Sequence, residues 1–230
     1  SEIIKYTNDF INSLDFKPLK DFSALVTSGP TKEMIDPVRF ISNESSGKQG
    51  YTIAEKLSSL GAYTTLISGP TKLPNPNVDK VVHVSSADEM MLECDKALPV
   101  NIAICAAAVA DYKVMKQSET KIKKNGSRLD ITLEENPDIL SRLSKRNYKR
   151  PDLVVGFAAE TEKLEENSKI KLEKKGCDWI LGNNVSNGQV IGKDTNEIHF
   201  ISKSETENWK QMRKEEVAEK LSHKIVQHLK

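Results

Sequence analysis

"SALVTSGPTK" at residues 23–32 and "YTTLISGPTK" at residues 63–72 each carry a short apolar run into the same five residues. Neither run shows the polar alternation of a half-exposed strand, so both read as strands buried on two faces, the habit of a parallel sheet. The likeness stops at the turn: "EMIDPVRF" follows the first copy and "LPNPNVDK" the second. The duplication is therefore local chemistry wanted at two strand ends, not a repeated module. Glycine allows a ligand close to the backbone, proline stiffens the turn, and threonine and lysine offer a hydroxyl and a cation. Gly-Pro also ends strands where no ligand binds, and for a single copy both readings stay open. Two copies favour a binding edge, because ligands of open α/β sheets sit beyond the carboxyl ends of the strands.

The remaining pattern extends that reading. Apolar runs at 24–27, 63–68, 81–84, 102–106, 153–157 and 179–181 predict strands, and helical periodicity predicts helices at 48–60, 86–97, 137–146, 161–175 and 213–229. Strands alternating with helices give an α/β domain whose parallel sheet is covered on both faces. Two runs, 128–133 and 197–202, do alternate and read as an antiparallel excursion. Residues 2–15 have apolar positions at helical spacing, and "FKPLKD" reads as a linker behind them. The expected division is a helical leader and linker over 1–20 and one domain over 21–230.

Composition narrows the function classes. A chain of 230 residues fits one sizeable α/β domain. Lysine plus arginine (34) nearly cancel aspartate plus glutamate (33), which argues against a nucleic-acid partner. No apolar run approaches the ~20 residues that span a membrane. Cys94, Cys105 and Cys177 are odd in number and lack CxxC spacing, so neither a zinc site nor a disulfide framework is expected and the cytoplasm is the expected compartment. The chain opens on Ser1, and the expectation is a piece of a longer protein.

"FISNESSGKQG" at 40–50 is the richest loop and precedes a good helix. It fails as a P-loop: Ser42 stands at the first glycine position and Gln49 replaces the hydroxyl after Lys48. It fails as GxGxxG, since only Gly47 and Gly50 are correctly separated, and no acidic ribose partner follows the second strand. What remains is a helix N-terminus with small residues, a favourable place for phosphate; the plain alternative is a cap by Ser45 or Ser46. "CAAAVADY" at 105–112 lets a flat ligand lie on the backbone, or serves tight packing. "KQSETKIKKNGSR" at 116–128 is a polar loop or a lid over an anion. Lys171 and Lys175 share a helix face. Three readings compete: a nucleotide-using enzyme, an NAD(P)-dependent oxidoreductase, and a non-catalytic nucleotide-sensing module.

Taken together, "VTSGPTKEMIDPVRFISNESSGKQG", "AAAVADY", "KIKK", "ENPDIL", "VGFAAET" and "KLEKKGCDWILGNN" resemble phosphopantothenate–cysteine ligases of the bacterial, CTP-dependent type. The resemblance runs from about Phe22 to the end of the chain. It implies a Rossmann-like three-layer sandwich with a mainly parallel sheet and an antiparallel dimerisation extension. It also implies the joining of 4'-phosphopantothenate to L-cysteine through an acyl-cytidylate, with Mg2+ and CTP, in a homodimer fused to a flavin-dependent decarboxylase half. Residue by residue, Asn43 matches an asparagine that turns over the acyl-cytidylate, Lys121 a lid lysine, and Arg39 an arginine that reaches substrate phosphate across a dimer interface. The plainer role for Arg39 is pairing with Glu33 or Asp36. Gly29, Ser45, Gly47 and Gly50 are expected at the nucleotide phosphates. Cys105, Ala106, Ala107, Ala108 and Asp111 are expected to line the nucleotide and substrate pocket. Asn136, Pro137, Asp138, Ile139 and Phe157 would frame base and ribose, and Lys171 with Lys175 the triphosphate. Asn183 matches a nucleotide-contacting asparagine, with Asn184 as its alternative because "GNN" replaces the commoner "AN". The resemblance implies no particular Mg2+ ligands.

Overall fold

The computed structural model describes residues 17–124, 126, 128–160, 162–184 and 195–230. The helix expected over 2–15 lies outside the described residues. The described chain runs β1 (Ser23–Ser28), β2 (Lys32–Met34), β3 (Phe40–Ser42), α1 (Lys48–Ser59), β4 (Tyr63–Ser68), β5 (Lys80–His83) and α2 (Ala87–Ala97). It continues with β6 (Ile102–Cys105), β7 (Tyr112–Val114), β8 (Leu133–Glu135), α3 (Ile139–Ser144), β9 (Leu153–Glu160) and α4 (Leu164–Lys175). The last elements are β10 (Trp179–Asn184), β11 (Thr195–Ser202), β12 (Thr206–Arg213) and α5 (Lys214–Leu229).

The large sheet has the order β12-β11-β10-β9-β6-β1-β4-β5. It is parallel from β5 to β10, and β11 runs antiparallel to both β10 and β12. Side-chain parity builds the layers. Ala24, Val26, Leu66, Ile104, Val155 and Leu181 face one core, closed by α1 and α5 through Ile53, Leu57, Val217 and Leu221. Their strand neighbours Leu25, Ile67, Ala103, Val154 and Ile180 face the other, closed by α2, α3 and α4 through Met90, Leu143 and Leu172. Both strand faces are buried, as the opening runs predict, and the three-layer α/β architecture is the expected one.

Local signals set several ends. Ser86 accepts from the Glu89 N–H at 3.2 Å while the Glu89 carboxylate reaches back to the Ser86 N–H, a capping box that starts α2. The run 197–202 lies inside β11, antiparallel to both β10 and β12, and is the antiparallel excursion its alternation predicts. The other alternating run needs correction. Of 128–133 only Leu133 is in a strand; β8 pairs with β7 in a separate small ladder. β12 was not foreseen, because "TENWKQMR" carries one strongly apolar anchor, Trp209, buried between the sheet and α5. Residues 17–20 of the expected linker pack on the domain. Leu19 is 1% exposed, its N–H donates to the Leu60 carbonyl at 3.0 Å, and residues 17–20 cover Gly61.

Candidate nucleotide and substrate site

After β1 the chain builds β4 and β5 on one side, then crosses through α2 to place β6 on the other side of β1. Strand direction of travel reverses there, so a crevice opens above the carboxyl ends of β1 and β6, the usual ligand position in such sheets. Both repeated turns are at this edge. Their strands pair in register, Ser28 opposite Ser68, and the Gly69 N–H donates to the Ser28 carbonyl at 2.9 Å.

The two copies do different work. The first organises the crevice wall: the Thr31 hydroxyl accepts from the Ala110 N–H at 3.0 Å, the Thr31 carbonyl accepts from the Ser42 hydroxyl at 2.7 Å, and Pro30 bridges Ala108. The second packs behind it. Ser68 and Thr71 hydroxyls meet the Tyr51 hydroxyl at 3.0 and 3.2 Å, which fixes α1 on the sheet. Gly47 starts α1 at φ 77, a left-handed conformation, and its carbonyl accepts from the Ser28 hydroxyl at 2.8 Å. Gly47, at the N-cap of α1, has no side chain to cap it, and the first turn holds no acidic residue. Ser45 and Ser46 instead accept, at 3.3 and 3.4 Å, from the N–H groups of Gly47 and Lys48. Gly29 and Gly50 are buried at the same junction.

Across the crevice the loop after β6 lies along β1. The N–H groups of Ala106 and Ala108 donate to the carbonyls of Thr27 and Gly29 at 3.1 and 2.9 Å. Exposed Asn43 leans onto this loop, its Nδ2 donating to the Val109 carbonyl at 2.9 Å. Asn136 closes the far end: its Nδ2 donates to the Ala110 carbonyl at 2.8 Å, its N–H to the Asp111 carbonyl at 2.8 Å, and its Oδ1 is buried without a partner. Thus Gly29, Asn43, Ser45, Gly47, Ala106, Ala107, Ala108, Asp111 and Asn136 are joined by hydrogen bonds at one sheet edge. Cys105 borders it, and burial pushes its thiol up to about 12, so it stays protonated at neutral pH and is no thiolate nucleophile.

The other candidates spread along the edge. Pro137 precedes Asp138, whose Oδ1 caps α3 by accepting from the Ser141 N–H at 2.9 Å, while the Ile139 side chain belongs to the core. Lys175 pairs with Asp138, and Lys171 lies 3.3 Å from Glu160. Both lysines share one helix face as read from the sequence, but here each already meets a carboxylate. Phe157 packs on the α1/α5 face of the sheet, opposite α3 and α4. Asn183, next to last in β10, has a buried Oδ1 without a partner, an acceptor fit for a ligand donor. Asn184 continues the strand.

Lys121 is exposed on the segment after β7. Arg39, at the tip of the β2–β3 hairpin, pairs with Asp36 rather than Glu33 and donates Nη2 to the Ile122 carbonyl at 2.8 Å. Glu33 instead accepts from the Ala87 N–H at 3.0 Å, docking the hairpin on α2. The pairing of Arg39 with Asp36 is the plainer role read from the sequence; what that reading missed is that Asp36 also accepts from the Ile122 N–H at 3.1 Å. The Arg39 guanidinium holds its carboxyl well below the usual carboxylate range.

Among the described residues no helix is long and apolar enough to cross a membrane. A family profile described as the DNA/pantothenate metabolism flavoprotein C-terminal domain matches residues 19–229. The coenzyme A biosynthesis bifunctional protein CoaBC of Haemophilus influenzae is 40% identical over 227 residues, 98% of this chain and 56% of that protein. The protein of the same name in Escherichia coli K12 is 43% identical over 188 residues, 80% of this chain and 46% of that one. The chain therefore spans about half the length of the curated relatives it matches. A crystal structure of the C-terminal domain of a CoaBC superposes with a TM-score of 0.78 at 36% identity, covering 93% of this chain and 98% of that one. The matched residues begin in the docked turn before β1 and end in α5, and over that extent the chain belongs to the family of the DNA/pantothenate metabolism flavoprotein C-terminal domain.

Proposed function

We propose that the chain joins 4'-phosphopantothenate to L-cysteine, with CTP activating the carboxylate, in coenzyme A biosynthesis. The observation that carries this reading is the Asn43 amide held on the Ala-rich wall at the β1/β6 crevice. It sets a donor beside a backbone surface on which an acyl group can lie. In the first half-reaction a carboxylate oxygen bonds to the α-phosphorus of CTP and pyrophosphate leaves. In the second the cysteine amine bonds to the acyl carbon, loses a proton, and CMP leaves. No protein nucleophile is needed; catalysis is positioning and charge stabilisation. Asn43 steadies the oxyanion of the second step. Lys121 offsets negative charge gathering at the α-phosphorus. The first turn of α1 faces phosphate, while Asn136 and Asn183 hold acceptors for donors of the nucleotide.

The described residues hold no group of three or more Asp, Glu, His or Cys side chains able to bind a metal. Mg2+ would arrive as the counter-ion of the triphosphate, the way this ion commonly binds. Val38, Phe40, Tyr112, Met115 and Leu133 stand exposed on β2–β3 and the adjoining β7–β8 ladder. An apolar surface of that kind supports a homodimer built there. If Arg39 serves the neighbouring subunit's site, mixing inactive Arg39→Ala and Asn43→Asp chains restores about half of wild-type activity per mixed dimer, one intact site in two. Proven heterodimers without rescue would defeat the shared site.

The deciding assay supplies phosphopantothenate with CTP or ATP and follows pyrophosphate, then CMP and the amide product after adding cysteine. The expected result is CTP-dependent pyrophosphate release, with amide formed only when cysteine is present. Nucleotide binding with no pyrophosphate release would reduce the chain to a binding module.

A further inference from the structure

The segment that carries Lys121 is gripped at one residue. The Ile122 N–H donates to Asp36 Oδ2 at 3.1 Å, and the Ile122 carbonyl accepts from Arg39 Nη2 at 2.8 Å. Asp36 and Arg39 thus treat one exposed-loop residue as a neighbouring strand would, satisfying both its backbone groups with side chains. Four residues before Ile122, the Ser118 N–H donates to the Ile35 carbonyl at 3.0 Å.

Asp36 is fully buried. Its Oδ1 accepts from the N–H groups of Val38 and Arg39 at 2.8 and 2.9 Å, and its Oδ2 accepts from Arg39 Nε at 3.0 Å, from Arg39 Nη2, and from Ile122. A carboxylate has about four lone-pair sites, so this one is saturated. Burying a charge is costly unless it is paired and hydrogen-bonded, and every partner here comes from the hairpin tip or from Ile122. The hairpin itself runs through β3 to Asn43. One buried group therefore links the segment of Lys121 to the strand that places Asn43.

We propose that Asp36 is a positioning residue for carboxylate activation: by holding Ile122 directly and through Arg39, it sets where Lys121 stands over the crevice. The role of Lys121 rests on the ligase reading above; the grip on Ile122 does not. Asp36→Asn keeps the shape but turns a donor-accepting oxygen into an N–H, opposing either Ile122 or Arg39. In the full chain without nucleotide, exchange of the Ile122 amide is expected to speed up by about tenfold or more, the worth of a charge-assisted hydrogen bond. In the pyrophosphate assay kcat is expected to fall by a similar factor, with KM for cysteine unchanged. Because Asp36 acts through Lys121, the double variant with Lys121→Gln is no slower than Lys121→Gln alone. Ile122→Pro removes the same donor while Asp36 and the hairpin stay intact; it gives the same loss of kcat and decides the matter if Asp36→Asn does not fold.

Unchanged exchange at Ile122 in folded Asp36→Asn overturns the grip, whatever the reaction. Faster exchange with undiminished pyrophosphate release overturns the positioning role, as do losses from Asp36→Asn and Lys121→Gln that multiply. A wild-type chain that releases no pyrophosphate from CTP, yet shows the exchange difference, removes the ligase reading and with it the role of Lys121.

Discussion

Asn43→Asp is expected to release pyrophosphate normally and then stall, accumulating the acyl-cytidylate while cysteine-dependent amide formation falls by about 10²–10³, the loss that follows removal of one oxyanion donor. Geometry makes the change harsher than a simple deletion. Asn43 Nδ2 donates to the Val109 carbonyl at 2.9 Å; a carboxylate there faces that carbonyl with like partial charge and turns from it. It also sets a negative charge where the oxyanion must form. The second half-reaction therefore loses a donor and gains repulsion, whereas attack on the α-phosphorus does not draw on this amide. Asn43→Ala separates the two effects, since it removes the donor without adding charge and is expected to lie between aspartate and wild type. Amide formation at the wild-type rate in Asn43→Asp would end the assignment. An equal loss of pyrophosphate release would move Asn43 to the first step.

Gly69→Ala is expected to be the most damaging single-methyl change at the repeated turns. A Cβ at Gly69 would stand 1.8 Å from the Pro30 carbonyl oxygen and 2.8 Å from its carbon. No rotamer relieves that contact, because both partners are backbone. Pro30 cannot retreat freely either: it bridges Ala108 while Thr31 binds the Ala110 N–H. Relief needs β1 and β4 to part at their carboxyl ends. A destabilisation of about 3 kcal/mol or more is expected, the upper range for overpacking. In a domain of this size that lowers Tm by roughly 6–12 °C. Gly126→Ala is the control: its φ of 80 disfavours alanine, but a Cβ there meets nothing within 4 Å, so about 1 kcal/mol of backbone strain is all it should show. Thermal unfolding of the two variants checks both. A Gly69→Ala protein as stable as wild type would mean that the turns do not interlock.

The elements legible in the sequence are those whose cause is local. Apolar runs without alternation announced β1, β4, β6 and β9, helical spacing announced α1 and α5, and glycine, proline and serine marked where they stop. The richest loops, around Asn43 and the alanines after β6, could be picked out because small and polar residues at strand ends have few purely structural uses. β12 was invisible because its single strong anchor, Trp209, becomes a core residue only when α5 folds over it. The alternation of 197–202 was real, yet which neighbours its strand would take was not in it. Lys171 and Lys175 were correctly set on one face, while the Glu160 and Asp138 that meet them come from β9 and the cap of α3. The largest gap was the reach of Asp36. Its turn is encoded within three residues, but its hold on Ile122 joins positions 86 apart in sequence. Such a contact depends on strand order and on how the hairpin leans over the sheet. Local pattern dictates backbone conformation residue by residue; it leaves open which distant segments meet, and that choice is made by the collective packing of the two cores.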